Sequence, residues 1–506
     1  MFESWMFWLS KKISHKKIGE ITNYKTYSDV IKTNKKNGVI NIIITVLCVF
    51  LIGYLWKYII QAWQIAVWAI AKWTVTIVSK GLWQDMIKDE FGNVNVLIAW
   101  FWWWWHAWWY LADSIMVASR NPDLWAVSMV SVPRDLYVND KEKKIAWRIN
   151  EVLARWVGRN HEIDTWAKIL ATKLEEITSL KIPYYALIDF QWFESLIDTL
   201  WWITIDVPKT IHDTTYPTED KWYMTFHVNS WINTMDWKTA LMYARSRHST
   251  SDFDRSLRQQ QIIKAIMNKL VSSNSLNPSK MKELYADYTK IVKTNISLDE
   301  MIGAARYAYN LKHIYSFGYT TECSIMNYKL SRPACFLYTP PQELFWGAAV
   351  IIPSWAGPDN ISFYDNTRNF AFYVAHNQKY LIENANITVQ NGIDKTYAKQ
   401  LKVKNDGYAT KLAVKLKKYA FNVQNVTNAT VTGAQTALYI LWTWTYTETI
   451  NMLRSFLAIN KVYDIQKDVF PTWVNPSEYT WWTELLIILW NTFLDQVNWK
   501  SFNYYK

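Results

Sequence analysis

Four stretches set charged side chains beside apolar runs. Asp113 lies in LADSIMVAS, Arg134 and Asp135 in SVPRDLYV, Arg245 and Arg247 in YARSRHS, and Asp252, Arg255, Arg258 and Gln259 in SDFDRSLRQQ. Arginine forks grip phosphate oxygens in pairs. An aspartate at a strand start can hold Mg2+, or another divalent cation, through carboxylate oxygen. Asp252, Arg255 and Gln259 are spaced so that on a helix they share one face. Arg245 and Arg247 point the same way if their segment is extended. Together these residues suit chemistry on a phosphate or pyrophosphate. Each piece alone has a plainer reading: RSRHS as a solvated charge run, an Asp–Arg pair as a surface ion pair.

Elements must bring these groups together. NVNVLIA (Asn93–Ala99), SIMVAS (Ser114–Ser119) and AVSMVSVP (Ala126–Pro133) read as apolar strands. A helix is expected in TWAKILATKLEEITSL, a strand in YYALIDF, a helix in FESLIDTL and a strand in ITIDVP. Strands alternating with helices predict a layered α/β domain. A long helix from Phe253 places Ile262, Ile266 and Leu270 on one face. Further on, NITVQNG reads as a strand and turn, and TELLIIL as a buried strand. GYATKLAVKLKKYAFNVQNV reads as an amphipathic helix, with Ala409, Leu412, Ala413 and Leu416 at helical spacing, running into a strand. A compact second α/β module is expected over residues 384–498.

In the stretch FWWWWHAWW, Phe101 to Trp109, no helix, strand or turn can bury all the indoles, and no turn chemistry asks for them. The chain holds 33 Trp and only 13 Gly in 506 residues, where roughly 35 Gly are ordinary. Trp192, Trp201, Trp202, Trp237, Trp481 and Trp482 stand at turn and boundary positions, where backbone freedom matters more than a ring. Trp237 follows Asp where an Asp-Gly turn is natural. UGA differs by one base from a tryptophan codon and by one from a glycine codon, and some bacterial lineages read it as glycine. Much of this Trp is therefore expected to be recoded glycine. A real aromatic patch for sugar or membrane is the alternative, though stacking platforms set aromatics singly on a rigid frame.

The formal net charge is +12 and the pI about 9.2, which suits nucleic acid, an anionic membrane or a phosphate-bearing substrate. No zinc knuckle or helix-turn-helix is legible, so no nucleic acid partner is expected. Residues 39–56, VINIIITVLCVFLIGYLW, carry no charge, and with KYII they predict one spanning helix over 39–60. Residues 1–38 carry eight Lys and three acids, which places this tail in the cytoplasm and the rest outside. No small-residue cleavage site follows, so the anchor is expected to remain. Residues 61–90 read as a juxtamembrane stalk. Cys323 and Cys335 lie in the external part, either as a disulfide or as two small hydrophobes.

The motifs DSIMVAS…VSMVSVPRDLYV, RINEV, IPYYALIDFQWFESLIDTLWWITIDVP and TALMYARSRHSTSDFDRSLRQQQIIKAI resemble the LytR–CpsA–Psr family in order and spacing. The resemblance covers roughly residues 91–375 and implies a three-layer α/β/α catalytic domain outside the membrane. The tail over 384–498 resembles the C-terminal domain often attached to these proteins. The family pattern has glycine where Trp192, Trp201, Trp202 and Trp237 stand. The resemblance implies a phosphotransferase that moves a glycopolymer from a polyprenyl-pyrophosphate carrier in the membrane lipid onto peptidoglycan. It implies Asp113 as metal ligand for Mg2+, Arg134 with its neighbour Asp135 at the pyrophosphate, and Arg245, Arg247, Asp252, Arg255 and Gln259 as the later catalytic cluster. Arg258, His248 and Asn150 of RINEV are the expected substrate contacts. Many members carry an acid just after the first strand, where Trp102 stands here, which puts metal binding in question. Two other readings share these residues: a pyrophosphatase with water as acceptor, and a non-catalytic wall-binding protein of the same fold.

Overall fold

Period-two alternation organises the first sheet. The computed structural model describes residues 85–496 apart from 102–110, 141–144, 152–162, 190–201, 219–221, 247–251, 273–291, 309–310, 324–331, 358–359, 361–362, 431–434, 443–444, 458, 473, 477–478 and 480–481. The tail and spanning helix expected over 1–60 lie outside the described residues, as do nearly all of the stalk and the helix expected in FESLIDTL. Among the described residues no helix is long and apolar enough to cross a membrane.

Strand β1 (Val94–Phe101) sends Leu97 and Ala99 into one core cluster and Trp100 into another. Strand β2 (Ala112–Asn121) does the same with Ile115 and Val117 against Met116. Strand β3 (Ala126–Val132) is buried at all seven positions, as a central strand covered on both faces must be. With β6 (Tyr184–Asp189), β11 (Val292–Thr294) and β12 (His313–Gly318) they form a six-stranded sheet in the order β11-β6-β1-β2-β3-β12. β2 runs antiparallel to β1 and β3, while β6 is parallel to β1 and β12 to β3. So β1, β3, β6 and β12 end at one edge, where β2 begins.

One face of the sheet takes α1 (Ile163–Thr178), which buries Trp166, Leu170, Leu174 and Ile177 at helical spacing. The other takes α2 (Trp237–Arg245) and α3 (Asp252–Ser272), through Leu241, Ala244, Ile262 and Ala265. Two short strand pairs share this side: β7 (Ile203–Val207) with β10 (Trp231–Met235), and β8 (Ile211–Pro217) with β9 (Tyr223–Val228). The hairpin β4 (Tyr137–Asp140) and β5 (Ile145–Arg148) leaves the end of β3. Helix α4 (Leu298–Ala308) follows β11, and α5 (Asp365–His376) packs on the face that α1 covers. A short pair, β13 (Leu337–Tyr338) and β14 (Ile352–Pro353), precedes it. Ile262 is buried as expected and Ile266 packs beside it.

Beyond α5 and the short α6 (Gln378–Glu383), a five-stranded sheet spans β15 (Ile387–Asn391), β16 (Val423–Asn428), β17 (Ala437–Ile440), β18 (Lys461–Asp464) and β19 (Leu485–Leu489). Its order is β16-β15-β19-β17-β18. Helices α7 (Lys395–Gln400) and α8 (Tyr408–Lys418) cross between the parallel strands β15 and β16. Ala409, Leu412, Ala413 and Leu416 are all buried, and every residue of β19 is buried, as their patterns predict. The apolar core runs without a break from α1 and α5 into this sheet. Tyr419 and Phe456 stand 4.9 Å apart in it, and Tyr373 and Phe456 5.2 Å.

Two local findings bear on the tryptophans. The helix expected after Asp236 begins at once, without a separate turn: Asp236 caps α2 by accepting from the Thr239 N–H at 2.8 Å, so Trp237 takes an ordinary first-turn position. Elsewhere the backbone does ask for glycine. Of nine non-glycine residues with positive φ among the described residues, four are Trp: Trp125 (52°), Trp231 (90°), Trp346 (54°) and Trp355 (73°). A side chain in this region clashes with its own carbonyl, and three of the four rings are about 80% exposed or more, burying little in return. Cys323 and Cys335 form a disulfide, with Cα atoms 5.5 Å apart.

Candidate functional site

The site begins with an irregularity in the sheet. Trp100 pairs with Ser114, but Phe101 pairs with Ala112, so Asp113 is the extra residue of a β-bulge. A bulge bends its strand and re-aims the side chain it carries. Asp113 therefore leaves the sheet at the edge where β1, β3, β6 and β12 end. Open α/β sheets bind ligands outside the carboxyl ends of their strands.

Two arginines converge on Asp113. Arg134, just past β3, donates from Nη1 to Oδ1 at 2.7 Å. Arg255, on the first turn of α3, donates from Nη2 to the backbone oxygen of Asp113 at 3.0 Å. Asp135 lies 3.7 Å from Arg134 Nε and 3.6 Å from Arg148 Nη1, and Arg148 Nε lies 3.6 Å from Glu151 Oε1. Asp113, Arg134, Asp135, Arg255, Ser131, Ser256 and Tyr319 line a cleft of about 90 Å³. Arg134, held by carboxylates, and Arg255, held by a backbone carbonyl, present positioned guanidinium groups at this cleft, a group whose fork matches phosphate oxygens.

The neighbouring helices are tied to this edge by buried polar contacts. Gln260 donates to Ser131 Oγ at 2.6 Å and to the Phe317 carbonyl at 2.8 Å, anchoring α3 to the ends of β3 and β12. Arg258 is 5% exposed and donates to the carbonyls of Tyr243 (3.0 Å) and Ser246, closing the end of α2. Gln259 is fully buried, its Nε2 3.5 Å from the Ala244 carbonyl. Arg245 sits over the Tyr216 ring, 5.7 Å from its centre. Asn150 is buried and donates its backbone N–H to the Arg134 carbonyl at 3.2 Å.

The structure thus brings Asp113, Arg134, Asp135 and Arg255 into one cleft, and sets Gln259, Arg258, Asn150 and Arg245 around its supports. Arg247, His248 and Trp102 lie outside the described residues, and of the Asp252 side chain nothing is described. Arg148 and Glu151, which extend the charge chain through Asp135, were not among the residues singled out from sequence. RINEV contains both, and the pairing of β4 with β5 brings Arg148 opposite Tyr137, close behind the Arg134-Asp135 pair.

Residues 106–331 match the LytR_cpsA_psr family. The matched segment contains every residue of the cleft except Ile351. The polyisoprenyl-teichoic acid–peptidoglycan teichoic acid transferase TagU of Bacillus licheniformis is 28% identical over 192 residues, 38% of this chain and 56% of the relative. The transferase TagV of Bacillus subtilis is 25% identical over 215 residues, 42% of this chain and 49% of the relative. The chain spans about half the length of the curated relatives it matches. Among solved structures, B. subtilis TagV aligns with 55% of this chain and 97% of its own, at 18% identity and a TM-score of 0.40. TagT bound to LI-WTA aligns with 56% of this chain and 94% of its own, at 18% identity and a TM-score of 0.36.

Proposed function

We propose that this chain is a membrane-anchored phosphotransferase. It attaches a glycopolymer, carried on polyprenyl pyrophosphate, to a hydroxyl of peptidoglycan on the outer side of the cell membrane. The single observation that carries the reading is the convergence of Arg134 and Arg255 on Asp113 at the bulge. The family match over residues 106–331 and relatives named as teichoic acid transferases support it.

The chemistry follows from the groups present. The acceptor hydroxyl oxygen forms a bond to the phosphorus that bears the sugar. The bridging P–O bond breaks, and polyprenyl phosphate leaves with the extra negative charge. Arg134 and Arg255 stand where that charge develops. A carboxylate of the cluster, Asp113 or Asp135, takes the hydroxyl proton. The resemblance adds Arg245, Arg247 and Asp252 as proposed catalytic residues and His248 as a proposed substrate contact, while the buried Gln259, Arg258 and Asn150 act by holding the elements around the cleft. Mg2+ fits the donor set in one way. Among the described residues no group of three or more His, Cys, Asp or Glu could hold a metal. Magnesium commonly takes one or two carboxylates and fills its remaining positions with phosphate oxygens and water. Asp113, with Asp135 beside it, would hold the ion jointly with the substrate, and the bound ion would neutralise phosphate charge.

The test is polymer attachment in cells whose only copy carries Arg134→Ala or Arg247→Ala. Attachment is expected to fall by roughly 100-fold or more, with the folded protein still in the membrane. Wild-type attachment in both variants overturns the enzyme reading and leaves a binding protein. Release of phosphorylated free polymer and polyprenyl phosphate without attachment points to a pyrophosphatase.

The reading of Trp as recoded glycine is part of the same proposal. The four positive-φ tryptophans support it, since glycine alone enters that region without strain. Peptide masses across Trp100–Arg120 of the native protein decide it: glycine masses are expected, and tryptophan masses overturn it.

A further inference from the structure

A second charged cleft lies far along the chain from the first. It has a volume of about 840 Å³ and opens at the carboxyl ends of β15 and β16, where Asn391 and Asn428 line it. Lys395, Lys399, Lys402 and Lys404 line its wall, and all four are exposed. None of them makes an ion pair among the described residues, although surface lysines elsewhere do, such as Lys379 with Glu448 and Lys467 with Asp464. Two acids share the lining, Asp394 and Asp406. Asp394 is committed locally: its Oδ1 caps α7 by accepting from the N–H groups of Thr396 (2.8 Å) and Tyr397 (2.9 Å).

The fold adds positive potential at the same end. Because α8 crosses between two parallel strands, it runs opposite to them, and its N-terminus lies at their carboxyl ends. Its cap is Gly407, at φ 78°, with no side chain to accept from the first turn. The eleven-residue helix therefore directs its positive end toward the cleft without a covering carboxylate cap.

We propose that this cleft binds a phosphate-bearing glycopolymer along its chain. Lysine ammoniums on flexible stems suit a mobile phosphodiester better than one fixed group, for which arginine forks are the better match. Among the described residues no aromatic side chain lines the cleft. Nucleobases would find nothing to stack on, whereas a polyol or sugar phosphate needs only charge and amide contacts. The inference deepens the transferase reading by giving the second sheet a hold on the polymer whose end reacts in the first cleft. It rests on that reading for the polymer's biological identity, while the binding itself is measurable without transfer.

The test uses the full chain in detergent micelles and a synthetic glycerol-phosphate oligomer lacking lipid and pyrophosphate. Its affinity is compared with that of Lys399→Gln/Lys402→Gln/Lys404→Gln. The triple variant is expected to keep its circular dichroism spectrum, bind at least tenfold more weakly and show a flatter salt dependence. Arg134→Ala is expected to bind this oligomer as the unaltered chain does. The proposal is overturned if the triple variant binds equally, if Arg134→Ala removes the binding, or if uncharged dextran binds as well. Tighter binding of a single-stranded DNA oligomer makes the cleft a nucleic-acid site instead. Oligomer binding with no transfer activity leaves this proposal standing and removes the transferase reading alone.

Discussion

At the scale of single residues, the site depends on one carboxylate being aimed out of a sheet. Asp113 falls at the bulge between Phe101 and Trp100 of the neighbouring strand, and Arg134 and Arg255 hold its two kinds of oxygen. Arg255 is 5% exposed, so its position is set by packing. A guanidinium can grip the Asp113 carbonyl with one nitrogen and a phosphate with another, and an ammonium cannot match that fork. Arg255→Lys is therefore expected to lower transfer by roughly 10- to 100-fold while the melting temperature stays within a few degrees. Transfer at the unaltered rate would show that Arg255 supports the fold and does not meet substrate.

At the scale of elements, two contacts make predictions. Asp89, just before β1, meets His376 at the end of α5, with Nε2 to Oδ2 at 2.9 Å and both side chains almost fully buried. Burial alone would raise the Asp89 carboxyl, but His376, the Asn93 N–H and the Asn95 amide together hold it below the usual carboxylate range. A carboxyl whose folded pKa is depressed stabilises the fold above its unfolded pKa. That contribution is lost as pH falls through the folded value. Urea unfolding is expected to show stability declining below about pH 4, more steeply for the unaltered chain than for Asp89→Asn. Parallel curves would mean the pair contributes nothing. The second prediction concerns a chain made with literal tryptophans. Trp231→Gly and Trp355→Gly relieve left-handed strain at exposed positions, and each is expected to raise stability by about 1 kcal/mol in the same measurement. Loss of stability would mean that these rings make contacts worth more than the strain.

At the scale of the whole molecule, the two sheets share one apolar core. Phe370 is fully buried, with its ring 5.4 Å from Phe317 of β12, 5.8 Å from Phe336 and 6.3 Å from Tyr419 beyond α8. The Ala334 N–H donates to the Lys418 carbonyl at 2.8 Å across the same seam. Phe370→Ala leaves a cavity between the sheets and is expected to cost about 3–5 kcal/mol. Hydrogen exchange should then quicken in β12 and in β15 together. Faster exchange in only one sheet would show that each sheet keeps a separate core.

Local patterns in the chain determined a large share of this. Apolar alternation and helical spacing placed β1, β2, β3, α1, α3, α8 and β19, because burial acts on short periods that neighbouring residues already display. The types of Asp113, Arg134, Asp135 and Arg255 marked them as candidates for phosphate chemistry, since arginine forks match phosphate oxygens in pairs. The scarcity of glycine beside abundant tryptophan was likewise visible in composition alone. What only the tertiary structure decided was non-local. The bulge that turns Asp113 outward is a mismatch between two strands, so neither strand's sequence states it. Arg148 reached Asp135, behind the cleft, through a hairpin, the lysines of residues 395–404 became one wall because a crossover folded them over a sheet edge, and the shared core arose from aromatic residues far apart in the chain. Such contacts form between segments whose separation in sequence carries no signal of their meeting in space.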